Sequence, residues 1–407
     1  MKRHRLDSNK VRAKKGGIYI FLKGKLMPLD NTLPFLVALR ENYPFFDLNI
    51  ITSDRKFIEI LASETLIRQA IEKYQIKINA PRIGETKPRK ITRLFNLASR
   101  MLVDSVKGPV YLINLAQIKK GARFFEFLMT INKAVKGGKL VELRLVPTTA
   151  KVDKFLREIL NSQYGRSIEK KTIQKCDLAI SSLPQIEYQQ CHAKEFIEVG
   201  YGRGFESWIK YIDQSLTNIE PEITDDFIFW PLSVLQRSEN FENIDLREII
   251  VETIRLILKS GIKSQIVFRY HPTTDQSEFQ KIISDTGIKN FFISKSHPHQ
   301  LIKKCRFVFS NTGTSLFCDA RFFRKRVVQY SSMASTYCIR DHSGRPVGSI
   351  YQPVVTDFFN EKTAFIKFLM DFGQRSLPES SSENDRNEFV MITCEDERKL
   401  FNHIFGF

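Results

Sequence analysis

Two polar clusters in the second half of the chain have residue types that suit chemistry on a phosphate. Arg269, His271 and Pro272 follow the apolar run IVF, and an imidazole there could donate a hydrogen bond to a phosphate or protonate a leaving group. The second cluster follows the apolar run FVF and comprises Ser310, Asn311, Thr312, Gly313, Thr314 and Ser315. Small hydroxyl, amide and glycine residues at the start of a helix suit a bound phosphate. Together the clusters predict a phosphate-bearing ligand, with a nucleotide as the first candidate.

The surrounding sequence predicts the elements that would position these clusters. Gln265 to Tyr330 alternates apolar strands with helices, and each cluster falls where a strand ends and a helix begins. In an open α/β sheet, ligands bind at that edge. A third strand, RVVQY, ends there in Ser331 and Ser332, whose hydroxyls suit a phosphate or a ribose. A strand-end histidine, an ordinary capped turn and a polar loop remain the alternatives for these three sites.

Several kinds of site are missing from the sequence. No GK[ST] follows the serine/threonine cluster and no GxGxxG occurs, which disfavours nucleoside triphosphate hydrolysis and hydride transfer. None of the six cysteines forms a CxxC pair or a zinc-like spacing with histidine, so we expect six reduced structural thiols. No DxD motif stands at a strand end. We therefore expect neither a metal site nor a bound cofactor.

The chain of 407 residues is long enough for two domains with separate cores. Strands alternate with helices in two series, separated by the junction GYGRG and the acidic stretch IEPEITDDF. This pattern predicts an α/β fold with two doubly wound Rossmann-like domains that face a cleft. The expected division is a basic disordered arm at 1–16, an N-terminal acceptor-side domain at 17–200, a C-terminal nucleotide-donor domain at 201–375, and a linker with a terminal helix at 376–407.

The sequence is strongly basic, with a formal net charge of +18. This charge favours anionic partners: nucleotide phosphates, acidic glycans, an anionic membrane surface or nucleic acid. The basic N-terminal arm could dock on anionic lipid or remain a solvated tail. No segment has signal-peptide character or the length of a membrane span, so we expect a cytoplasmic protein that is either soluble or peripheral at the inner face of the membrane. Nucleic acid is disfavoured because the aromatic residues lie within predicted strands and cores.

Chemistry at such a cleft would also need a general base. In the first half, the strand-end polar residues are Lys23, Gly24, Ser53, Asp54 and Asn114, and Asp54 is the candidate among them. Glu239, beyond the strand FIFWPL, is the second candidate. Carboxylates at loop tips are more often simply solvated, so the sequence leaves the base open.

The order FIFWPL, IVFRYHP, HQLIKKC and RFVFSNTGTSLFCDARFFRKRVV resembles bacterial capsular polysaccharide and surface-glycan transferases of the glycosyltransferase B fold. These include Kdo and sialic acid transferases, which use CMP-sugars and carry a His-Pro motif and a downstream serine/threonine motif. The inter-domain segment EFIEVGYGRGFESW looks similar as well, so the resemblance runs from about Cys176 to Tyr330. Teichoic-acid-type CDP-glycerol phosphotransferases share a similar pattern, as do UDP-sugar 2-epimerases more distantly.

The resemblance implies a glycosyltransferase that moves a sugar, such as sialic acid or Kdo, from a CMP-linked donor to a surface glycan or glycolipid acceptor. His271 would then contact the donor phosphate or assist nucleotide departure, and Asn311 to Ser315 would hold the phosphate. Relatives often carry a glutamine and an acidic residue after the strand that FIFWPL matches, and SVLQRSEN leaves the match of Gln236 and Glu239 open. A CDP-glycerol-type phosphotransferase, a UDP-sugar 2-epimerase and a basic polyanion-binding protein are the alternatives.

Overall fold

The computed structural model describes residues 16–22, 26–52, 54, 57–81, 84–114, 122–165, 170–232, 246–271, 276–332, 338–374 and 389–405. Some predictions fall outside the described residues: the basic arm before Gly16, Lys23, Gly24, Ser53, Glu239, Pro272 and the linker at 376–388.

The first half of the chain forms a parallel sheet. Its strands are β1 (Gly17–Leu22), β2 (Asp47–Thr52), β3 (Lys77–Asn79), β4 (Val110–Ile113), β5 (Lys139–Arg144), β6 (Thr172–Ser181) and β7 (Gln190–Glu198). Within the described ranges the order is β3-β2-β1-β4-β5-β6-β7, and every pairing is parallel. Runs such as IYIFL and VYLI are apolar on both sides because helices cover both faces of a parallel sheet.

Helices on the two faces of this sheet enclose two cores. The helices are α1 (Leu26–Asn42), α2 (Phe57–Ser63), α3 (Thr65–Lys73), α4 (Lys87–Lys107), α5 (Ala122–Lys136) and α6 (Ala150–Tyr164). Side chains alternate along a strand, so Ile18 and Ile20 of β1 pack in the core under α1 and α3. Tyr19 and Phe21 pack in the opposite core, under α4 and α5.

A second parallel sheet follows α7 (Glu206–Gln214). It contains β8 (Phe227–Pro231), β9 (Gln265–Arg269), β10 (Phe291–Ile293), β11 (Phe307–Ser310), β12 (Arg326–Tyr330) and β15 (Asp357–Phe359). Its helices are α8 (Leu246–Ser260), α9 (Gln276–Asp285), α10 (Pro298–Lys304), α11 (Leu316–Phe322) and α12 (Lys362–Gln374), and β13 (Cys338–Arg340) and β14 (Pro346–Ser349) form a separate antiparallel hairpin. The sheet order in the described structure is β10-β9-β8-β11-β12-β15. Counting along the chain, the first strand is central, the second and third lie on one side and the fourth to sixth on the other, as in Rossmann folds.

These two sheets confirm the predicted α/β class and the two doubly wound Rossmann-like units. From Gln265 to Tyr330 strands alternate with helices as predicted, but β10 and α10 stand between α9 and β11, so the stretch has four strands and three helices. The segment FIEILASETLIRQAIEKYQ, whose spacing predicts one helix region, forms two helices, α2 and α3, that meet at Glu64. Glu64 has non-helical backbone angles, and its carboxylate accepts a hydrogen bond from Arg269 of the second sheet. A tertiary ion pair therefore accompanies the break, and local helical periodicity does not reveal it.

The last helix, α13 (Cys394–Phe405), returns to the first core. The segment before it places Ile392 beside Phe205 in a parallel bridge. The chain that leads from the first sheet to the second and the chain that returns to the first core therefore run side by side. Phe401 is fully buried, with its ring centroid 5.2 Å from that of Phe35 and 6.1 Å from that of Tyr43. Glu397, also buried, accepts hydrogen bonds from Ser207 N and Oγ.

Two further observations bear on the sequence predictions. All six cysteines are free thiols, as predicted. Among the described helices, none combines the length and the apolarity that crossing a bilayer takes.

Replacing Phe401 with alanine should strongly destabilise the protein, because it opens a cavity among packed rings. The expected loss in the free energy of unfolding is about 3–5 kcal/mol, measured by urea denaturation of the full chain. Arg398→Ala, an exposed change on the same helix, is the matched control and should leave the free energy unchanged. An equal effect of the two substitutions would contradict the packing of α13 in the first core.

Candidate functional site

The Ser310–Ser315 turn lies at the topological switch point of the second sheet. β8 and β11 are paired at its centre, and the chain continues from them in opposite directions across the sheet. The loops that leave two such strands run in opposite directions, so a crevice forms between them at the carboxyl edge. Open α/β sheets bind ligands in this crevice. The second sequence cluster therefore follows one of the two strands that flank this crevice.

The strand register shows that β8, β9 and β11 end at the same height along the sheet, where the predicted site residues lie. Pro231 of β8 pairs with Arg269 of β9, and Val308 of β11 pairs with Phe229 of β8, so Ser310 ends level with Pro231. β9 and β11 flank β8, which places their ends about 10 Å apart. A ligand of nucleotide size can therefore span from the end of β9, beside His271, to the turn after β11.

Asn311 is the most informative residue of the turn. Its side chain is buried, and Nδ2 donates hydrogen bonds to Thr253 Oγ1 (2.9 Å) and to the Tyr330 carbonyl (3.1 Å). Its Oδ1 is buried with no hydrogen-bond partner in the described part of the chain. A buried acceptor left unpaired is costly, so this atom is suited to receive a donor from a bound molecule.

The rest of the turn is held by its own hydroxyl groups. Ser310 Oγ accepts from the Thr312 N–H at 3.2 Å, and Thr314 Oγ1 accepts from the Leu316 N–H at 3.3 Å. Thr314 thus caps α11, whereas Ser315 already has helical backbone angles and makes no side-chain cap. Because α11 is only seven residues long, its dipole offers little to an anion, and the turn itself must supply the contacts.

Position 313 requires glycine because the ring of Tyr351 lies close to its Cα atom. A Cβ atom at this position would lie 2.4 Å from Cδ2 of Tyr351, so any side chain would displace that ring. The glycine lets the turn pass directly over the tyrosine.

Ser331 and Ser332 follow β12 at the same edge. The Ser331 N–H donates to the Phe359 carbonyl, and Ser332 Oγ donates to Oε1 of Glu252 at 3.0 Å. Glu252 lies on α8 and also accepts from Tyr330 Oη at 2.9 Å. Burial alone would raise its pKa, but hydrogen bonds from Lys362, Tyr330 and Ser332 hold the pKa of Glu252 below its usual value. Sequence reasoning missed Glu252, since nothing in IIVETIRL distinguishes it from a surface helix residue.

Arg269 and His271 have different surroundings at the end of β9. Arg269 Nη2 forms an ion pair with Glu64 Oε2 at 2.6 Å, and Nε donates to the Ser296 carbonyl at 2.7 Å. The side chain of His271 is exposed at the surface. Its pKa is nevertheless lowered, first because the surrounding polypeptide excludes part of the water around the imidazole and second because Arg269 places a positive charge nearby. The imidazole is therefore neutral near pH 7.

The first sheet contributes less to the described site. Asp54 is half-buried, and its backbone N–H donates to Thr52 Oγ1 at 3.2 Å. Asn114, at the end of β4, has a φ of 59° and accepts from the Leu143 N–H through Oδ1 at 2.8 Å. Asn114 thus has a structural role, because asparagine tolerates the left-handed conformation.

A buried polar cluster joins the two halves of the molecule beside this site. We call it the Arg203 cluster; it comprises Asp30, Arg203, His297, His299 and Asp319. Arg203 donates through Nη2 to Asp30 Oδ2 (2.8 Å) and through Nη1 to Asp319 Oδ2 (2.6 Å). Its Nε donates to Asn31 Oδ1 at 2.9 Å, so every side of the guanidinium is engaged. Asp30 belongs to α1 and Asp319 to α11, so one cation ties the two units together.

Hydrogen bonds fix the proton positions of both histidines. His297 Nδ1 accepts from the His299 N–H, and His299 Nδ1 accepts from Trp208 Nε1 at 3.2 Å. Each Nε2 must then carry the single proton and donate it to a carboxylate, His297 to Asp30 and His299 to Asp319, both at 3.0 Å. The two imidazoles are neutral, and Arg203 is the cation of the cluster.

The pKa shifts follow from this arrangement. Burial lowers the pKa of His297 despite its carboxylate neighbour, in keeping with a neutral ring. Burial would raise the pKa values of Asp30 and Asp319, but Arg203 and the histidines hold both below the usual range. The cluster offers no unpaired polar group to a ligand, since the side chains of Arg203, His297 and Asp319 are hydrogen-bonded within it. It joins α1, α11 and the segment that carries Arg203.

The sequence identified only part of this cluster. In SHPHQLIKKC, His297 and His299 precede an amphipathic segment, which predicts that they cap or flank a helix, and His297 does cap α10 in a capping box with Gln300. The contacts with Asp30 and Asp319 were not predicted. A signal was present for Asp30, which is the only charged residue in the apolar segment MPLDNTLPFL, whereas Asp319 shares LFCDARFF with Arg321. Across the residues described, no group of three or more His, Cys, Asp or Glu side chains is arranged to hold a metal ion.

Comparisons with known proteins add structural likeness only. No protein-family model matches the sequence, and no curated protein matches it. A glycosyltransferase from Rickettsia africae superposes with a TM-score of 0.47 at 12% identity, over 96% of this chain and 99% of that one. The Escherichia coli heptosyltransferase WaaC with ADP gives 0.41 at 12% identity, over 87% and 99% of the two chains. A UDP-GlcNAc 2-epimerase from Neisseria meningitidis bound to UDP-GlcNAc gives 0.45 at 10% identity, over 96% and 99%. Likeness at this level describes neither the substrate nor the reaction of this chain.

His297→Gln should cost stability in a way that depends on pH. Because the folded pKa of His297 is lowered, the histidine's contribution is complete above its unfolded pKa of about 6.5 and is lost as the pH falls below that value. Urea unfolding from pH 8 to 5 should therefore show a penalty for His297→Gln that shrinks on acidification. The two aspartates, whose pKa values are also lowered, account for a further loss below about pH 4 in both proteins.

His192→Gln, an exposed histidine on β7, is the matched control and should show no such dependence. A penalty for His297→Gln that grows on acidification would mean that His297 is a cation paired with Asp30, contrary to the neutral tautomer.

Proposed function

We propose that this protein transfers a sugar from a nucleotide donor to a glycan or glycolipid acceptor. The observation that carries this proposal is the Ser310–Ser315 turn at the switch point of a Rossmann-like sheet, with the unpaired Oδ1 of Asn311 buried in it. The nucleotide would lie across the carboxyl ends of β8, β9 and β11. A second doubly wound unit opposite this edge supports a two-substrate reaction, because it offers a separate surface for the acceptor.

Asn311 suits the nucleoside better than the phosphate. Its Oδ1 is an acceptor and needs a donor, which ribose hydroxyls and base amino groups have and an ionised phosphate lacks. The phosphate would then lie beside Gly313 and Thr314 of the same turn, on the side away from the Tyr351 ring. Ser331 and Ser332 border the same edge and would contact the ribose or phosphate.

The reaction requires one bond to form and one to break. An acceptor hydroxyl oxygen attacks the anomeric carbon, the bond from that carbon to the phosphate oxygen breaks, and the nucleotide leaves. The hydroxyl proton passes to a base, for which Asp54 and Glu239 are our candidates. The neutral His271 would donate a hydrogen bond to the leaving phosphate, since its lowered pKa disfavours a cation. We propose that no metal or bound cofactor takes part.

The donor we propose to test first is a CMP-linked acidic sugar. This choice follows the resemblance of the His-Pro and serine/threonine segments and the net charge of +18, which favours an anionic substrate. Membrane-surface glycans are the acceptors that the same resemblance suggests.

The purified protein should release nucleotide from a sugar donor only when an acceptor is present. We would incubate it with CMP-, UDP- and CDP-linked donors and a panel of glycan acceptors, with and without a chelator, and measure released nucleotide. His271→Ala should lower kcat by about a hundredfold or more, whereas His271→Gln, which keeps an N–H donor, should lose less. His192→Ala, in the other domain, should match the unchanged protein.

Three results would count against this proposal. If no nucleotide binds in a thermal-shift screen, the site assignment fails. If turnover proceeds without an acceptor, the chain is an epimerase instead. If polyanions bind with a steep salt dependence that His271→Ala leaves unchanged, and no donor turns over, the basic binding protein is the correct alternative.

A further inference from the structure

The outward faces of α4 and α5 are unusually apolar. Exposed large hydrophobic side chains recur along both helices, and the most exposed are Phe95 (70%), Val106 (71%), Phe127 (63%) and Val135 (69%). Leu102, Val103 and Ile131 add to the same two faces. We call this surface the α4/α5 face.

Helical spacing shows that these residues do not belong to the core. On α4, Phe95, Leu102 and Val106 lie on one stripe, with Leu97 and Met101 buried on the opposite side. On α5, Phe127, Ile131 and Val135 are four residues apart, which again gives one stripe. A surface helix normally presents polar residues outward, so two adjacent helices with apolar outer stripes indicate an interaction surface.

The exposed charges of α4 have one sign, and α5 adds one exposed carboxylate, Glu126, beside the basic residues Lys133 and Lys136. α4 has a single acidic residue, Asp104, and it is buried, accepting a hydrogen bond from Tyr19 Oη at 2.5 Å. Exposed basic residues flank the apolar stripe along the helix: Lys87, Arg89, Arg100 and Lys107. An apolar stripe with a cationic border complements a bilayer surface that contains anionic lipid. It does not suit a second copy of this chain, because a symmetric contact would bring like charges together.

The basic N-terminal segment joins the fold at the same place. Gly17 donates its N–H to the carbonyl of Pro109, two residues after the end of α4, and packs against Asp104. The fifteen residues before Gly16, rich in lysine and arginine, are therefore attached beside the C-terminal end of α4.

We propose that the α4/α5 face docks the protein on anionic membrane surfaces. The apolar stripes enter the boundary between headgroups and acyl chains, and the basic border contacts the lipid phosphates. The inference does not depend on the proposed sugar transfer, since it concerns surface residues outside the second sheet. Its test is a binding measurement and uses no enzyme activity.

Vesicle co-sedimentation with the full chain tests this proposal. The protein should sediment with vesicles of phosphatidylcholine and phosphatidylglycerol, much less with phosphatidylcholine alone, and less at high salt. Phe95→Ser combined with Phe127→Ser should lower the partition coefficient by about tenfold or more, because two exposed rings lose their lipid contact. Arg89→Gln with Lys107→Gln should lower it about fivefold per charge.

Matched controls separate this surface from the rest of the molecule. Ile186→Ser with Met370→Ser removes apolar residues exposed elsewhere, and Lys154→Gln with Lys259→Gln removes distant charges; both should bind like the unchanged protein. Circular dichroism confirms that each variant is folded. Failure to bind anionic vesicles, or equal binding by the Phe95/Phe127 variant, would overturn the proposal. So would a dimer in analytical ultracentrifugation that the Phe95/Phe127 variant converts to monomers.

Discussion

The buried guanidinium of Arg203 is the constraint on which the arrangement of the two sheets depends. A buried cation is tolerated only when it is paired and hydrogen-bonded on every side, and here α1 supplies Asp30 and Asn31 while α11 supplies Asp319. The planar fork of arginine fixes the direction of each partner, which a lysine would not do. Glycines on both sides of Arg203 permit the close approach: a Cβ at Gly202 would lie 3.1 Å from the Val146 carbonyl. Arg203 therefore holds the two sheet units, and the segment that connects them, in one arrangement.

That arrangement divides the carboxyl edge of the second sheet into two parts. Beyond β9 and β10, the edge is sealed against the first unit by the Arg269–Glu64 ion pair and by the hydrogen bond from His297 to Asp30. At the sheet centre, the edge carries the Ser310–Ser315 turn, where an acceptor of Asn311 lacks a partner within the described structure. This division supports the nucleotide site that we propose, because the closed contacts would hold its walls and the unpaired acceptor would bind the ligand.

The sequence was sufficient for the framework and insufficient for the contacts that join its parts. Apolar runs such as IVF and FVF predict buried parallel strands because helices cover them on both faces, and their ends place Ser310 to Ser315 at the ligand-binding edge. Glu252 and Asp30 were missed because their roles depend on partners far away in sequence, Ser332 and Arg203 respectively. The break at Glu64 was missed for the same reason, since its partner Arg269 lies in the other sheet. Strand ends are encoded locally, whereas buried ion pairs exist only after the two units dock.

The most direct test of the central claim is a crystal structure of the protein with a bound nucleotide such as CMP or UDP. The account predicts the nucleotide at the junction of β8 and β11, with a ribose hydroxyl or base amino group within hydrogen-bond distance of Asn311 Oδ1 and the phosphate beside Gly313 and Thr314. The Arg203 cluster should be unchanged by binding. A nucleotide seated at the edge of the first sheet, beside Asn114, with Asn311 Oδ1 still unpaired, would contradict it.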